Sequence, residues 1–168
     1  KYAAEDADVT YKLFNVFKSK LKSEALENVF EDVEMPLVQV LTTMERNGVK
    51  LDEDFLHNYS KDLTKEQLSI QQKIFAQVGG EFNLASPKQL GEALFEKMGI
   101  PYKGKKTKSG QYATGEDKLI KYEKNYPIVR DILEYRQITK LKSTYVDALP
   151  KLIDKKTGKI HTSFNQAI

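Results

Sequence analysis

The sequence contains no cysteine, only two histidines and no long run of apolar residues. Without cysteine the chain can form neither disulfides nor thiolate metal sites, which fits a reducing compartment. His57 and His161 lie far apart in the sequence and have no ligand spacing around them, so a zinc site is not expected. Because no apolar run approaches the length of a membrane-spanning segment, we expect no transmembrane helix. The first residues also lack the pattern of a signal peptide.

Charged residues, by contrast, are abundant and unevenly distributed. They make up 30% of the 168 residues, which is typical of a soluble, helix-rich protein. Residues 1–80 have a net charge of −4, whereas residues 81–168 have a net charge of +7. A polyanionic partner is therefore expected to bind the second half.

The length suits one domain, or one domain with pieces of its neighbours. The missing initiator Met indicates that the chain starts inside a longer protein.

The apolar periodicity and the capping residues predict a mainly α fold. Ser86 and Pro87 read as the N-cap and first residue of a short helix, and Thr114 is predicted to cap another helix with Asp117 at its third position. A turn and a strand over residues 159–167 follow the last helix, and the partners of that strand are expected beyond the end of the chain. Helices are predicted over residues 2–21, 25–47, 52–78, 86–98, from 114 onward, and 127–149.

Tyr2 and Asp6 are the first candidate site, because a four-residue spacing places them on one face of a helix. A carboxylate can hold a divalent cation, and a phenol beside it can orient the attacking water in metal-dependent hydrolysis. The alternative is structural, since acidic residues favour the N-terminus of any helix.

Two further candidates would bind phosphate. Asn83, Ser86 and Lys88 surround a helix N-terminus, where free N–H groups suit an anion, although a simple helix cap gives the same pattern. Residues 100–113 form a glycine-containing loop whose flexible cations suit non-specific gripping of a phosphate backbone. The alternative is that this is simply a solvated, mobile loop. The cations of this loop are Lys103, Lys105, Lys106 and Lys108.

The last helix carries Arg136, Lys140 and Thr144 at one-turn spacing, a row that can follow successive phosphates. Its apolar residues favour the opposite side, as they would in any amphipathic helix. They are Ile128, Ile132, Ile138, Leu141, Tyr145 and Leu149. In the tail, Asn165 and Gln166 are side chains that can read the minor groove of a duplex.

The order of these segments resembles the bacterial family A DNA polymerases over essentially the whole chain. The resemblance is carried by YAAEDADVT, EMPLVQVLTTMERNGVKLD, FNLASPKQLGEALFEKMGIP, KKTKSGQYAT, ILEYRQITKLKSTYVDALPKLI and TGKIHTSFNQA. It implies a helical thumb subdomain with an N-terminal exonuclease helix and a short C-terminal strand or hairpin from the palm. Residues 1–22 would end a 3′–5′ exonuclease domain, residues 23–153 would form the thumb region, and residues 154–168 would begin the palm.

The resemblance also implies roles for the candidate residues. Tyr2 and Asp6 match the Tyr-x-x-x-Asp exonuclease motif, in which the Asp binds a catalytic metal, Mg²⁺ or Mn²⁺, and the Tyr positions the water. Asn83 and Ser86 match thumb contacts to the duplex backbone, while the lysine loop falls at the thumb tip. Arg136 and Lys140 match helix positions that approach primer–template DNA, and Asn165 and Gln166 lie where the palm approaches it.

The sequence therefore predicts a segment of a DNA-directed DNA polymerase with 3′–5′ proofreading, active in DNA replication and repair. The segment would grip primer–template duplex but be inactive alone and bind no metal tightly, since the metal-binding polymerase aspartates and the deoxynucleoside triphosphate site would follow Ile168. We expect a cytoplasmic, nucleoid-associated monomer without membrane contact. One alternative is a non-catalytic helical module that binds DNA or protein. Another is a parent that has lost proofreading, against which Tyr2 and Asp6 argue.

Overall fold

The chain is mainly helical in the part that the structure, a computed structural model, describes: the backbone of residues 2–166 and the side chains of residues 4–166. This helical content confirms the predicted mainly α fold class. None of the described helices has the length and apolarity needed to cross a membrane. The α-helices are α1 Tyr2–Ser23, α2 Glu27–Val29, α3 Met35–Asn47, α4 Glu53–Val78, α5 Pro87–Gly91, α6 Glu116–Leu119 and α7 Pro127–Lys140. Helical turns of other types are the π turns Phe30–Glu34, Glu92–Lys97 and Leu141–Val146 and the 3₁₀ turns Ile120–Tyr122 and Leu149–Leu152.

The chain forms two compact units. One consists of residues 51–152, and the other combines the residues up to 50 with those from 153 onward. The predicted domain boundaries after residues 22 and 153 stay predictions.

The helix boundaries of the 51–152 unit follow local sequence signals. The Oδ1 atom of Asp52 accepts a hydrogen bond from the N–H of Phe55 at 2.9 Å, so Asp52 is the predicted N-cap of α4. Gly79 ends α4 with a φ of 73°, the left-handed conformation that glycine adopts without steric cost. Ser86 caps α5 through the N–H of Gln89, and Pro87 follows as its first residue.

The core of the 51–152 unit lies between α4, α7 and the short helices. Ile128, Ile132 and Ile138 are buried as predicted, whereas Leu141 and Tyr145 are 37% and 48% exposed. The reason is the π turn Leu141–Val146, whose wider turn shifts the side chains off the α-helical stripe. The largest fully buried side chains are Ile74, Leu90, Leu94, Leu119, Ile128, Val129 and Ile132.

A buried carboxylate on α7 is satisfied entirely by α4. Asp131 is only 3% exposed, and its two oxygens accept hydrogen bonds at 2.6 Å from the ammonium of Lys73 and the amide of Gln77. Such pairing offsets the cost of burying a carboxylate and fixes the register between the two helices.

A second polar contact joins the opposite end of α4 to the turn after α7. Asp147 accepts hydrogen bonds from Lys142 and from the Ser60 hydroxyl. The contact with Lys142, followed by that with Ser60, lowers the pKa of the Asp147 carboxyl. Near neutral pH the Asp147 carboxyl is therefore ionised and keeps its hydrogen bonds with Lys142 and Ser60.

The predicted capping by Thr114 is wrong, because the N-cap of α6 is Gly115 and no side chain caps it. Thr114 is 4% exposed, and its carbonyl accepts a hydrogen bond from the Arg136 guanidinium. Asp117 pairs with Lys118 at 2.8 Å instead of completing a capping box. The tertiary contact to Arg136 holds Thr114 in the core, so the helix begins beyond it.

In the other unit, α2 begins at Glu27 and not at the predicted Ala25. Ala25 has a φ of 56°, in the left-handed region, so it ends the turn after α1 and cannot begin a helix. The π turn Phe30–Glu34 then carries the chain directly from α2 into α3.

The predicted strand over residues 159–167 is reduced, among the described residues, to isolated antiparallel bridges. Ile160 pairs with Val49, and Lys159 pairs with Asp154 across the predicted turn. A partner for this segment thus lies inside the chain, contrary to the expectation. Beyond Ile160 the segment bonds through side chains, because the Nδ1 atom of His161 donates to the carbonyl of Glu45 at 2.8 Å.

Candidate nucleic-acid interface

The structure brings two of the predicted phosphate-binding segments together in one groove of about 340 Å³, here called the α7 groove. One wall is the turn at Leu84 and Ala85 before α5, and the other is α7 with the π turn that follows it. Asn83 and Ser86 flank the Leu84–Ala85 turn but do not line the groove. It is lined by Leu84, Ala85, Tyr135, Arg136, Thr139, Lys140, Ser143 and Thr144. None of these lining side chains, all in the described part of the chain, is acidic.

Arg136 and Lys140 occupy different environments within the groove. The guanidinium of Arg136 is half-buried and donates to the carbonyl of Thr114, and its burial lowers the pKa of this group. The ordinary pKa of a guanidinium is so high that Arg136 remains a cation despite this lowering. Lys140 and Thr144 are exposed one and two turns further along, where they are open to a ligand.

The Asn83–Ser86 segment is held in place by its own side chains. The Oδ1 atom of Asn83 accepts from the N–H of Ala85 at 2.9 Å, and the Ser86 hydroxyl accepts from Gln89 at 3.4 Å. Leu84, 4% exposed, anchors the segment in the core. Capping and phosphate binding are compatible here, because Asn83 remains exposed. Lys88 is exposed as well, at 3.9 Å from Glu92, a distance too long to immobilise it.

The lysine loop is folded on itself through hydrogen bonds and an aromatic contact. The N–H of Thr107 donates to the carbonyl of Gln111 at 2.8 Å. The Lys106 ammonium lies 4.0 Å from the centroid of the Tyr112 ring, a cation–π distance. Lys105 and Lys108 are exposed. The loop therefore presents its cations from an ordered turn.

The predicted exonuclease pair lies on α1. Asp6 is exposed, whereas the side chain of Tyr2 lies outside the described residues. Nowhere between residues 4 and 166 do three His, Cys, Asp or Glu side chains come close enough together to hold a metal ion. Asp6 is a suitable ligand by chemistry, but a single exposed carboxylate does not make a divalent-metal site.

Asn165 and Gln166 belong to the other unit. Asn165 is exposed. The amide of Gln166 donates at 3.0 Å to both the carbonyl and the carboxylate of Glu34, so this side chain is already engaged.

The sequence interpretation missed three hydroxyl groups of the α7 groove. Tyr135, Thr139 and Ser143 form a second row at one-turn spacing, next to the row that begins at Arg136. The hydroxyl of Thr139 also accepts from the amide of Gln67 on α4 at 2.7 Å, which fixes its position. The same four-residue spacing that revealed the first row could have revealed the second.

Comparison with known proteins points to one family. The model of DNA polymerase family A matches residues 53–168. The DNA polymerase I of Pseudomonas aeruginosa is 44% identical over 99% of this chain, and that of Chloroflexus aurantiacus is 43% identical over 98%. The chain spans only 18% of the length of either relative. A solved structure, the POL domain of Pol1 from M. smegmatis in complex with DNA primer-template and dNTP, matches with a TM-score of 0.77 at 32% identity, covering 94% of this chain and 28% of that one.

Proposed function

Because the chain belongs to DNA polymerase family A, we propose that it is a segment of a DNA-directed DNA polymerase that grips primer–template duplex. The observation that carries the proposal is the α7 groove, where exposed Lys140 and Thr144 lie opposite Leu84 and Ala85 and no lining side chain is acidic. Cations and hydroxyls at one-turn spacing suit phosphate contacts, which position a duplex but do not read its sequence. The bound primer-template in the similar M. smegmatis structure supports the same partner.

Duplex binding by the 168-residue chain is expected to be weak and strongly dependent on salt. A Kd on the order of 10⁻⁴–10⁻⁶ M is typical of non-specific binding at physiological salt. If about four cations reach phosphates, log K falls against log salt with a slope of roughly −3.6. Lys140→Gln should lower the affinity about fivefold to tenfold near 0.1 M salt and make the slope shallower by about 0.9. Fluorescence anisotropy with a labelled duplex at several salt concentrations measures both quantities.

Lys61→Gln is the matched control, since Lys61 is an exposed lysine on α4 outside the groove. It removes the same charge and should change the affinity less than twofold. Equal losses in the two variants, or an affinity that ignores salt, would contradict a specific role for the α7 groove.

The parent's proofreading activity is part of the same proposal and rests on the Tyr2–Asp6 motif. Asp6 would supply one oxygen ligand to Mg²⁺ or Mn²⁺, and the other ligands would come from elsewhere in a longer parent protein. We expect Asp6→Ala in that protein to lower the rate of single-stranded DNA degradation at least a hundredfold while leaving primer extension unchanged. Equal degradation rates for the two forms would show that Asp6 is not catalytic.

The 168-residue chain itself is proposed to be a catalytically inactive, cytoplasmic monomer. Its described residues supply one exposed candidate ligand, Asp6, and no metal-binding cluster. Deoxynucleoside triphosphates would be substrates only for the longer parent.

One observation favours a second candidate, a helical module that binds protein. The apolar residues of α1 are about half exposed: Val9, Leu13, Phe14, Val16 and Phe17. An exposed apolar face of this kind is typical of a protein-binding surface. A double variant with Arg136→Ala and Lys140→Ala that binds duplex as well as the parent would favour this candidate over the polymerase segment.

A further inference from the structure

A second cavity, of about 460 Å³, lies away from the α7 groove and is here called the tyrosine pocket. Three of its lining residues are Tyr102, Tyr122 and Tyr126. It is built from the loop after α5 and the turns that precede α7. Its volume is within the range of pockets that hold small organic ligands, about 300–1,000 Å³.

The aromatic wall of the tyrosine pocket is held rigidly by the core. Tyr122 is 8% exposed, and its ring lies 5.7 Å from that of Phe95 and 6.3 Å from that of Tyr126, measured between centroids. The Tyr122 hydroxyl accepts the N–H of Lys103 at 2.7 Å. Tyr102 packs edge-on against Phe95 at 4.7 Å. Rings fixed in this way lose little entropy when a planar ligand stacks on the exposed part of one of them.

The rim of the tyrosine pocket is cationic. It includes Lys103, Lys105, Lys118 and Lys121, and none of the lining side chains, all of them described, is acidic. Asp117 lies beside the rim and pairs with Lys118 at 2.8 Å, so the charge of that lysine is partly neutralised. Asp117 also interacts electrostatically with Lys121, but four lysines against this one carboxylate leave a positive rim around an aromatic floor.

A neutral amide completes the lining of the pocket. Asn125 is exposed and carries both a donor and an acceptor. An asparagine side chain can form a paired hydrogen bond with the edge of adenine. An aromatic face, a polar edge reader and ammonium groups together match a purine base, its edge and its phosphate.

We propose that the tyrosine pocket binds a single unpaired nucleotide unit, with its base stacked on tyrosine and its phosphate held by the lysine rim. Base–aromatic stacking requires an exposed base face, which a duplex interior does not offer. The ligand is therefore distinct from the paired DNA assigned to the α7 groove. It comes either from a free nucleotide or from a single-stranded end, since both present the same chemistry.

The test uses the ¹⁵N-labelled 168-residue chain and follows the backbone amides of Lys103 and Asn125 by NMR. Adenosine 5′-monophosphate should shift both amides and bind at least tenfold more tightly than inorganic phosphate, because only the nucleotide stacks. Tyr126→Leu should lower the nucleotide affinity about tenfold and leave the phosphate affinity unchanged. Tyr145→Leu is its control, since Tyr145 is 48% exposed and lies outside the pocket.

Lys121→Gln is a second variant that tests the pocket without altering a packed side chain, because Lys121 is exposed. Lys121→Gln should weaken the binding of both the nucleotide and inorganic phosphate about threefold, whereas Lys61→Gln should weaken the binding of neither.

The source of the ligand is tested with a 5′-phosphorylated deoxyadenosine pentamer. If the pentamer binds tenfold more tightly than the nucleotide, the source is a single-stranded end, and if the affinities are equal, the source is the free nucleotide. Either result supports the pocket.

Three results would overturn the assignment. The first is equal affinity for the nucleotide and for inorganic phosphate. The second is a glutamate-rich peptide that binds at the same amides more tightly than the nucleotide. The third is a loss of duplex affinity in Tyr126→Leu equal to its loss of nucleotide affinity. The last would assign the pocket to the duplex grip. Lys140→Gln should leave nucleotide binding unchanged, so a failure of the duplex proposal and a failure of this one are distinguishable.

Discussion

Replacing Ile132 with alanine is expected to lower the free energy of unfolding of the 51–152 unit by about 3 kcal/mol, within the 2–5 kcal/mol typical of such substitutions. Ile132 is 1% exposed, and it belongs to the cluster that joins α7 to α4. Removing its side-chain atoms costs their transfer free energy and leaves a cavity that rigid helices fill only in part. Urea denaturation followed by circular dichroism should show a lower midpoint with an unchanged slope.

Leu141→Ala provides the comparison for this substitution. Leu141 lies on the same helical stretch but is 37% exposed, so its truncation should cost less than about 1 kcal/mol. If both variants lost the same stability, the burial of Ile132 would not be the cause. Under conditions where the Ile132 variant remains folded, its duplex affinity should equal that of the parent, because Ile132 does not line the α7 groove.

Replacing Gly48 with alanine is expected to disrupt the bridge between Val49 and Ile160. Gly48 has a φ of 62° and a ψ of 175°, a conformation restricted almost entirely to glycine. A Cβ atom there would lie 2.8 Å from the His161 ring and 2.9 Å from the carbonyl oxygen of Ile160. Strain and overlap together should cost about 3 kcal/mol. Hydrogen exchange should accelerate about a hundredfold at the amides of Val49 and Ile160, which donate to each other's carbonyls.

Gly158→Ala separates strain from overlap in the same unit. Gly158 has a φ of 66°, but a Cβ atom there would meet no other atom within 4 Å. Only the left-handed backbone penalty of about 1–2 kcal/mol remains, so exchange at Val49 and Ile160 should change much less. Equal acceleration in the two variants would show that the His161 ring does not limit what position 48 accepts.

The helices of the 51–152 unit could be predicted because their signals are local. Asp52, Ser86 and Pro87 act at the positions where the sequence places them, since a capping side chain needs only its own first turn. The burial of Ile128 and Ile132 follows from the same periodicity. The prediction failed at Thr114, where the carbonyl is held by a guanidinium 22 residues away. No local pattern contains that contact.

For the candidate site, the sequence identified the row of Arg136, Lys140 and Thr144 and the Asn83–Ser86 segment, but not that they share one groove. Their proximity depends on how the Asn83–Ser86 turn before α5 packs near α7, and burial of Leu84 holds that turn in place. The tyrosine pocket was not predicted at all. Tyr122 and Tyr126 stand four residues apart, but Tyr102 comes from a separate loop, and only the contacts of these rings with one another and with Phe95 bring the three together.

The sequence by itself determined the helical class, the capped starts of α4 and α5, the charge asymmetry and, through the order of its segments, the resemblance to the polymerase family. These properties depend on residue type and on spacings of a few residues. The tertiary structure alone decided that Arg136 is half-buried while Lys140 is free to reach a ligand, and that Ile160 pairs with Val49. The physical reason is that burial and long-range pairing are set by packing between elements distant in sequence, which local free energies do not encode.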